Sequence, residues 1–201
     1  PGQNMGDDYM PGETYPTHFD FSFSAYAILD HFHTAKILIY PVADFRSISP
    51  YASDIIDNLQ QTLISKPSGG AMSGFPFLPM WNAAQLFSAK VTYFDFKSGS
   101  GVRFLSMFGQ DVYPVDNHNT FYTYQGLTSD GQFYISAVLP ITNFGLPDDG
   151  ATVMGDYMTF HENWDTYIAD TITWLNAQDP ANFFPDINKL DTMMASFEIN
   201  R

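Results

Sequence analysis

Five histidines are the side chains of this sequence best suited to acid–base or metal chemistry, and their spacings define what chemistry that would be. His31-Phe32-His33 places two imidazoles on one side of an extended segment, a pair able to ligate zinc, but no third ligand follows at a usable spacing. The segment from His161 to Asp165 (HENWD) lacks the second histidine four residues on that a zinc protease requires. His118 sits in Asp116-Asn117-His118-Asn119, where an aspartate can orient a base, and serines are present as nucleophiles; no Gly-x-Ser-x-Gly elbow accompanies them. Neither phosphate-cradling glycine motif occurs, and Asp148-Asp149-Gly150 with Asp156 lacks the spacing of a calcium loop. The sequence therefore predicts no catalytic residue, no metal site and no cofactor.

A different chemistry is concentrated between Asn119 and Ile141. Asp130-Gly131 joins two apolar-rich runs and predicts a β-hairpin with a two-residue turn, which pairs Thr128 with Phe133, Gly126 with Ile135, Tyr124 with Ala137 and Tyr122 with Leu139. The other side of the pleat then carries Thr123, Gln125, Leu127, Tyr134, Ser136 and Val138. Thr123, Gln125, Tyr134 and Ser136 supply donors, acceptors and one ring on one surface, the mixture that orients a small ligand between apolar walls. They are the candidate binding residues, with the 68–80 or 142–155 loop closing the site; the alternative is that a helix covers this face and satisfies Gln125 internally. Arg103 is the fifth candidate. A hairpin centred on Gly99 pairs it with Asp95 as a surface ion pair, or turns it toward a ligand.

The run Phe121-Tyr122-Thr123-Tyr124-Gln125-Gly126-Leu127-Thr128, with Asp130-Gly131-Gln132-Phe133-Tyr134 after it, resembles a segment of uncharacterised bacterial envelope proteins, many of them predicted lipoproteins. The resemblance implies an extracytoplasmic location, secreted or anchored at the cell surface, and no particular activity.

Composition narrows the function classes. Eight basic residues against 22 acidic ones give a formal charge of −14, which disfavours a phosphate backbone as partner because nucleic acid requires clustered cations. Nineteen of the acids are aspartate, a residue suited to turns. The absence of cysteine removes disulfides, thiolate metal sites and thiol nucleophiles. No apolar run approaches the roughly 18 residues that span a membrane. With 45% hydrophobic and 17% aromatic residues, the chain has the apolar surface to offset the entropy of folding. Residues 1–15 read as a flexible leader and 16–201 as one globular domain.

The elements that must position the candidates follow from periodicity. His18 to Ser24 alternates as a strand with Phe19, Phe21 and Phe23 on its inner face, and Ala35 to Val42, closed by Pro41, reads as a strand covered on both faces or lying beside an edge. Ser49-Pro50 starts a helix that Lys66-Pro67 stops, Asp156 caps a long helix ending before Pro180, and Asp186 caps a last one. The expected fold is α+β: an antiparallel sheet of about six strands built from hairpins, with about three helices on one side. The expected function is a non-enzymatic binding domain for a small molecule, glycan or protein partner. The alternative is a structural subunit that self-associates through its N-terminal segment or a sheet edge, and a hydrolase is the third reading.

Overall fold

The computed structural model describes residues 15–70 and 74–199. In chain order the elements are β1 (Phe19–Ser22), β2 (Lys36–Pro41), α1 (Val42–Ile48), α2 (Pro50–Ser65), β3 (Ala84–Gln85), β4 (Ala89–Phe96), β5 (Gly99–Ser106), β6 (Phe108–Gly109), β7 (Phe121–Thr128), β8 (Phe133–Pro140), β9 (Thr142–Asn143), α3 (Tyr157–Glu162), α4 (Trp164–Ala177), β10 (Phe183–Phe184) and α5 (Ile187–Ala195). Six strands form one antiparallel sheet in the order β1-β2-β8-β7-β5-β4, so the fold is α+β, with two small two-stranded sheets beside it. The expected leader lies outside the described residues except for Tyr15.

The hairpin of β7 and β8 holds the centre, in the register that the alternation predicts: Tyr122 opposite Leu139, Tyr124 opposite Ala137 and Gly126 opposite Ile135. Its turn differs from the expected one. The Gly131 N–H donates to the Thr128 carbonyl at 2.8 Å, and Gly131, not Asp130, has the positive φ of 69°. The connection is thus a four-residue loop, Ser129 to Gln132, whose even length preserves the pairing as far as Leu127 and Tyr134; the expected backbone pair of Thr128 and Phe133 is replaced by the Phe133 N–H donating to the Thr128 hydroxyl at 3.0 Å. Asp130 fixes the loop by accepting from the Gln132 N–H at 2.9 Å and the Thr128 hydroxyl at 2.7 Å. Gly126 pairs with Gly101 across β5, and the Tyr124 ring lies against both: a Cβ would approach that ring to 2.8 Å at Gly126 and 2.4 Å at Gly101. This aromatic contact leaves no room for a side chain at either position.

Every central strand is buried on both faces, so cover is needed on two sides and the expectation of helices on one side fails. Tyr122, Tyr124, Leu105 and Leu139 pack beneath Trp164, Ile168 and Leu175 of α4 and Ile187, Leu190 and Met194 of α5. Leu38, Tyr40, Val102, Phe104, Leu127 and Tyr134 pack against Ile56 and Leu59 of α2, Phe45 of α1, and Phe75, Phe77 and Leu78 from the segment before β3. The helix starts are those the sequence marks: Ser49 accepts from the Ala52 N–H, Asp156 from Thr159 and Asp186 from Asn188. Asn163 divides the predicted long helix into α3 and α4. At the sheet edge the phenylalanines of β1 alternate as expected but stay exposed, Phe19 at 60% and Phe21 at 48%, with Phe197 edge-on to Phe21 at 6.0 Å.

Candidate functional site

The four polar residues of the central hairpin do come together, but inside the protein. Thr123, Gln125, Tyr134 and Ser136 are each fully buried on the face covered by α2 and by the Phe75 to Leu78 segment. The Gln125 Oε1 accepts from the Tyr134 hydroxyl at 2.6 Å and from the Leu78 N–H at 3.1 Å. Its Nε2 donates to Thr123 Oγ1 at 2.8 Å and Ser136 Oγ at 3.0 Å, and Thr123 donates onward to the Ala137 carbonyl at 2.7 Å. Both oxygen lone pairs and both amide hydrogens of Gln125 are therefore engaged. The expectation of a ligand-facing surface is corrected here: the network pins Leu78 over the sheet, and burial pushes the Tyr134 phenol well up.

Arg103 is also placed differently from the sequence expectation. The β4–β5 turn is Lys97-Ser98, not a loop centred on Gly99, so Phe96 pairs with Gly99, Asp95 with Ser100 and Thr92 with Arg103. Gly99 belongs in the strand because a Cβ there would sit 2.1 Å from the Leu127 carbonyl oxygen. Arg103 lies on the face opposite to Val102 and Phe104, the α5 side of the sheet, and the changed register moves Asp95 to the other face. At 5% exposure it makes a two-point ion pair with Asp191, Nε to Oδ1 at 3.1 Å and Nη2 to Oδ2 at 2.9 Å, and its Nη1 donates to the Lys90 carbonyl. The Tyr122 hydroxyl donates to the same Asp191 at 3.0 Å. Arg103 thus clamps α5 to the sheet.

The histidines converge more than their spacing suggests, since the His31 ring has the His33 and His118 rings as neighbours, with centroids 5.6 and 6.3 Å away. His31 Nε2 donates to the Thr120 carbonyl at 2.8 Å and its Nδ1 accepts from the His33 N–H at 2.9 Å, which fixes a neutral imidazole with both nitrogens engaged. Burial lowers the pKa of His31. His118 Nδ1 lies 3.7 Å from an oxygen of Asp30, which is fully exposed. Asp116 does not orient a base; it accepts from the N–H groups of Asn119 and Gly150 at 2.8 Å each and holds its loop. Among the described residues no three acidic or histidine side chains converge to hold a metal ion.

An open cleft of about 650 Å³ lies beside the closed network, on the same face of the sheet. Val138 and Lys36, paired across β8 and β2, form its floor. Phe32, His33 and Thr34 form one wall, and Trp81, Asn82 and Ala83 another, with Phe108, Gln110 and Asn119 completing it. The rings support one another: His33 stacks on Trp81 at 4.7 Å and 14°, and Trp81 meets Phe77 and Phe108 edge-on at 4.6 and 4.9 Å. Phe32 stands at the rim, 71% exposed, its backbone tied to the His118 carbonyl at 2.8 Å. Burial holds the His33 imidazole down to a pKa of about 3, with the charges of His31 and Lys36 adding to the effect, so its ring is neutral at ordinary pH and offers one donor and one acceptor. No hydrogen bond within the described residues engages the Lys36 ammonium, the His33 ring nitrogens or the Asn82 side chain.

Sequence reasoning missed this set because its members come from five separate stretches of chain, and none has a telling spacing within its own stretch. The local signals were His31-Phe32-His33 and an isolated Trp81 in a loop. Comparison of the chain with protein-family models, with curated proteins and with solved structures finds no match.

Proposed function

We propose that the protein is a non-enzymatic binding domain acting outside the cytoplasm, and that the cleft lined by Phe32 and the stacked His33 and Trp81 takes a small ring-bearing molecule such as a sugar or an aromatic compound. One observation carries this reading: at about 650 Å³ the cleft has ring-lined walls and, among the described residues, no protein partner engages the Lys36 ammonium, the His33 ring nitrogens or the Asn82 side chain that line it. Phe32 at the rim gives a ligand ring a face to stack on, and Asn82, Gln110 and the neutral His33 supply directional hydrogen bonds. The extracytoplasmic placement rests on the resemblance of the central hairpin to envelope proteins. Among the described residues no helix is long and apolar enough to cross a membrane.

A screen of monosaccharides and small aromatic fragments by saturation-transfer NMR tests the proposal. Binders should lose affinity in a Trp81→Ala variant that remains folded; binders indifferent to Trp81, Phe32 and His33 substitutions place the site elsewhere.

A second reading, a self-associating subunit, draws on the edge strand β1. Phe19 and Phe21 there border an apolar groove with Phe133, Phe197 and Ile199, and the outer edge of β1 has no partner strand among the described residues. A concentration-dependent rise in mass by light scattering, abolished by Phe21→Lys, favours this reading; a monomer at all concentrations removes it.

A further inference from the structure

Among the described residues the cations of this acidic chain are almost all accounted for. Arg46 contacts Asp57 at 2.5 Å, Lys97 contacts Glu198 at 3.1 Å and Arg103 contacts Asp191 at 2.9 Å. Lys90 donates through Nζ to the carbonyls of Asn176 and Gln178 at the end of α4. Lys66 and Lys189 are exposed to water. Lys36 is the exception: it is half-buried on the floor of the cleft, and among the described residues neither a carboxylate nor a carbonyl engages its ammonium. Among the described residues no aspartate or glutamate lines that cleft. A cation withdrawn from bulk water without a counter-charge is costly, so a ligand that brings one negative charge gains more there than at a solvated surface lysine.

We infer that the cleft selects ring compounds bearing a single carboxylate, with the ring against Phe32 and Trp81 and the carboxylate on Lys36; this rests on the reading of the cleft as a binding site. One ammonium is a point charge matched to a monoanion, and a formal charge of −14 on the chain opposes any more highly charged ligand. The neutral His33 beside Lys36 gives the second carboxylate oxygen a donor without adding a second cation to the pocket. The groove lined by Lys66, Lys90 and Arg103, about 550 Å³, carries more cations but lacks this property. There Asp191 already pairs with Arg103, and the carbonyls at the end of α4 already accept from the Lys90 ammonium.

Matched acid and neutral probes test the inference, glucuronate against glucose and benzoate against benzyl alcohol, titrated by NMR into the wild-type chain, Lys36→Met, Lys36→Gln and Lys36→Arg. The acid of at least one pair should bind about tenfold more tightly than its neutral partner, and the pair that responds identifies the ring as sugar or aromatic. Lys36→Met and Lys36→Gln should reduce that preference to within about twofold and leave the neutral probe unchanged, whereas Lys36→Arg should retain most of it. Neutral probes binding as well as acids, or a preference that survives both charge-removing variants, overturns the inference and leaves the cleft as a site for neutral rings. No binding by any probe removes the inference and the cleft reading together.

Discussion

Two polar groups on one face of the same sheet, a few ångströms apart along β8, differ in what they leave free. Around Gln125, each donor and acceptor of the amide meets a protein partner and the α2 layer excludes water. Around Lys36 and His33, polar atoms open into a cleft walled by rings. The side chains are equally polar in the two places. What separates a structural network from a candidate site is hydrogen-bonding capacity left over after folding, and only the second place has it.

Breaking the closed network should have the largest effect. Gln125→Ala leaves the Leu78 N–H and the Tyr134 hydroxyl without their buried acceptor and opens a void, so stability should fall by on the order of 3 kcal/mol or more in denaturant unfolding. Ligand binding by the fraction still folded should be unchanged. The Arg103–Asp191 clamp comes next: Arg103→Met should cost roughly 2–3 kcal/mol by the same assay, less than a fully enclosed pair because Asp191 retains some solvent.

The histidines give a smaller, pH-dependent effect. His33 is lowered to about 3 in the fold from its ordinary 6.5, and His31 is lowered as well, so between these values the unfolded chain binds more protons than the folded one. Stability from these groups is therefore complete above pH 6.5 and declines as pH falls toward 3, with a slope of at most about 1.4 kcal/mol per pH unit for each histidine. His33→Phe keeps a ring on Trp81 and should flatten the unfolding free energy between pH 6.5 and 4.5; an unchanged slope would place the titration elsewhere. The smallest stability change belongs to the rim. Phe32→Ala should alter unfolding by no more than about 0.5 kcal/mol, because the ring is 71% exposed, yet weaken ring-ligand binding by roughly fivefold or more.

The helix caps and the register of β7 with β8 were legible in the sequence, because each depends on residues close together along the chain. The partner of Arg103 was not. Gly99 looks like turn punctuation, and only the proximity of the Leu127 backbone shows that it is a strand residue with no room for a side chain. One misplaced turn then exchanges a surface pair with Asp95 for a buried one with Asp191, 88 residues away. The polar face of the central hairpin was read correctly as a set of alternating residues, but alternation cannot tell whether water, a ligand or a helix meets it. The cleft was invisible for a related reason: it is an intersection of distant loops, and α1, which continues directly from β2, was not signalled either.

The three tryptophans allow the most direct test of the claim that the open cleft, not the closed network, is the site. Trp81 lines the cleft, whereas Trp164 and Trp174 belong to α4 on the opposite side of the sheet. With ¹⁵N-labelled tryptophan, the indole N–H signals can be followed as a ring-bearing ligand is added. The account predicts a saturable shift of the Trp81 signal while Trp164 and Trp174 stay fixed. Saturable shifts confined to Trp164 or Trp174, or a ligand that binds the protein tightly without moving Trp81, would contradict it.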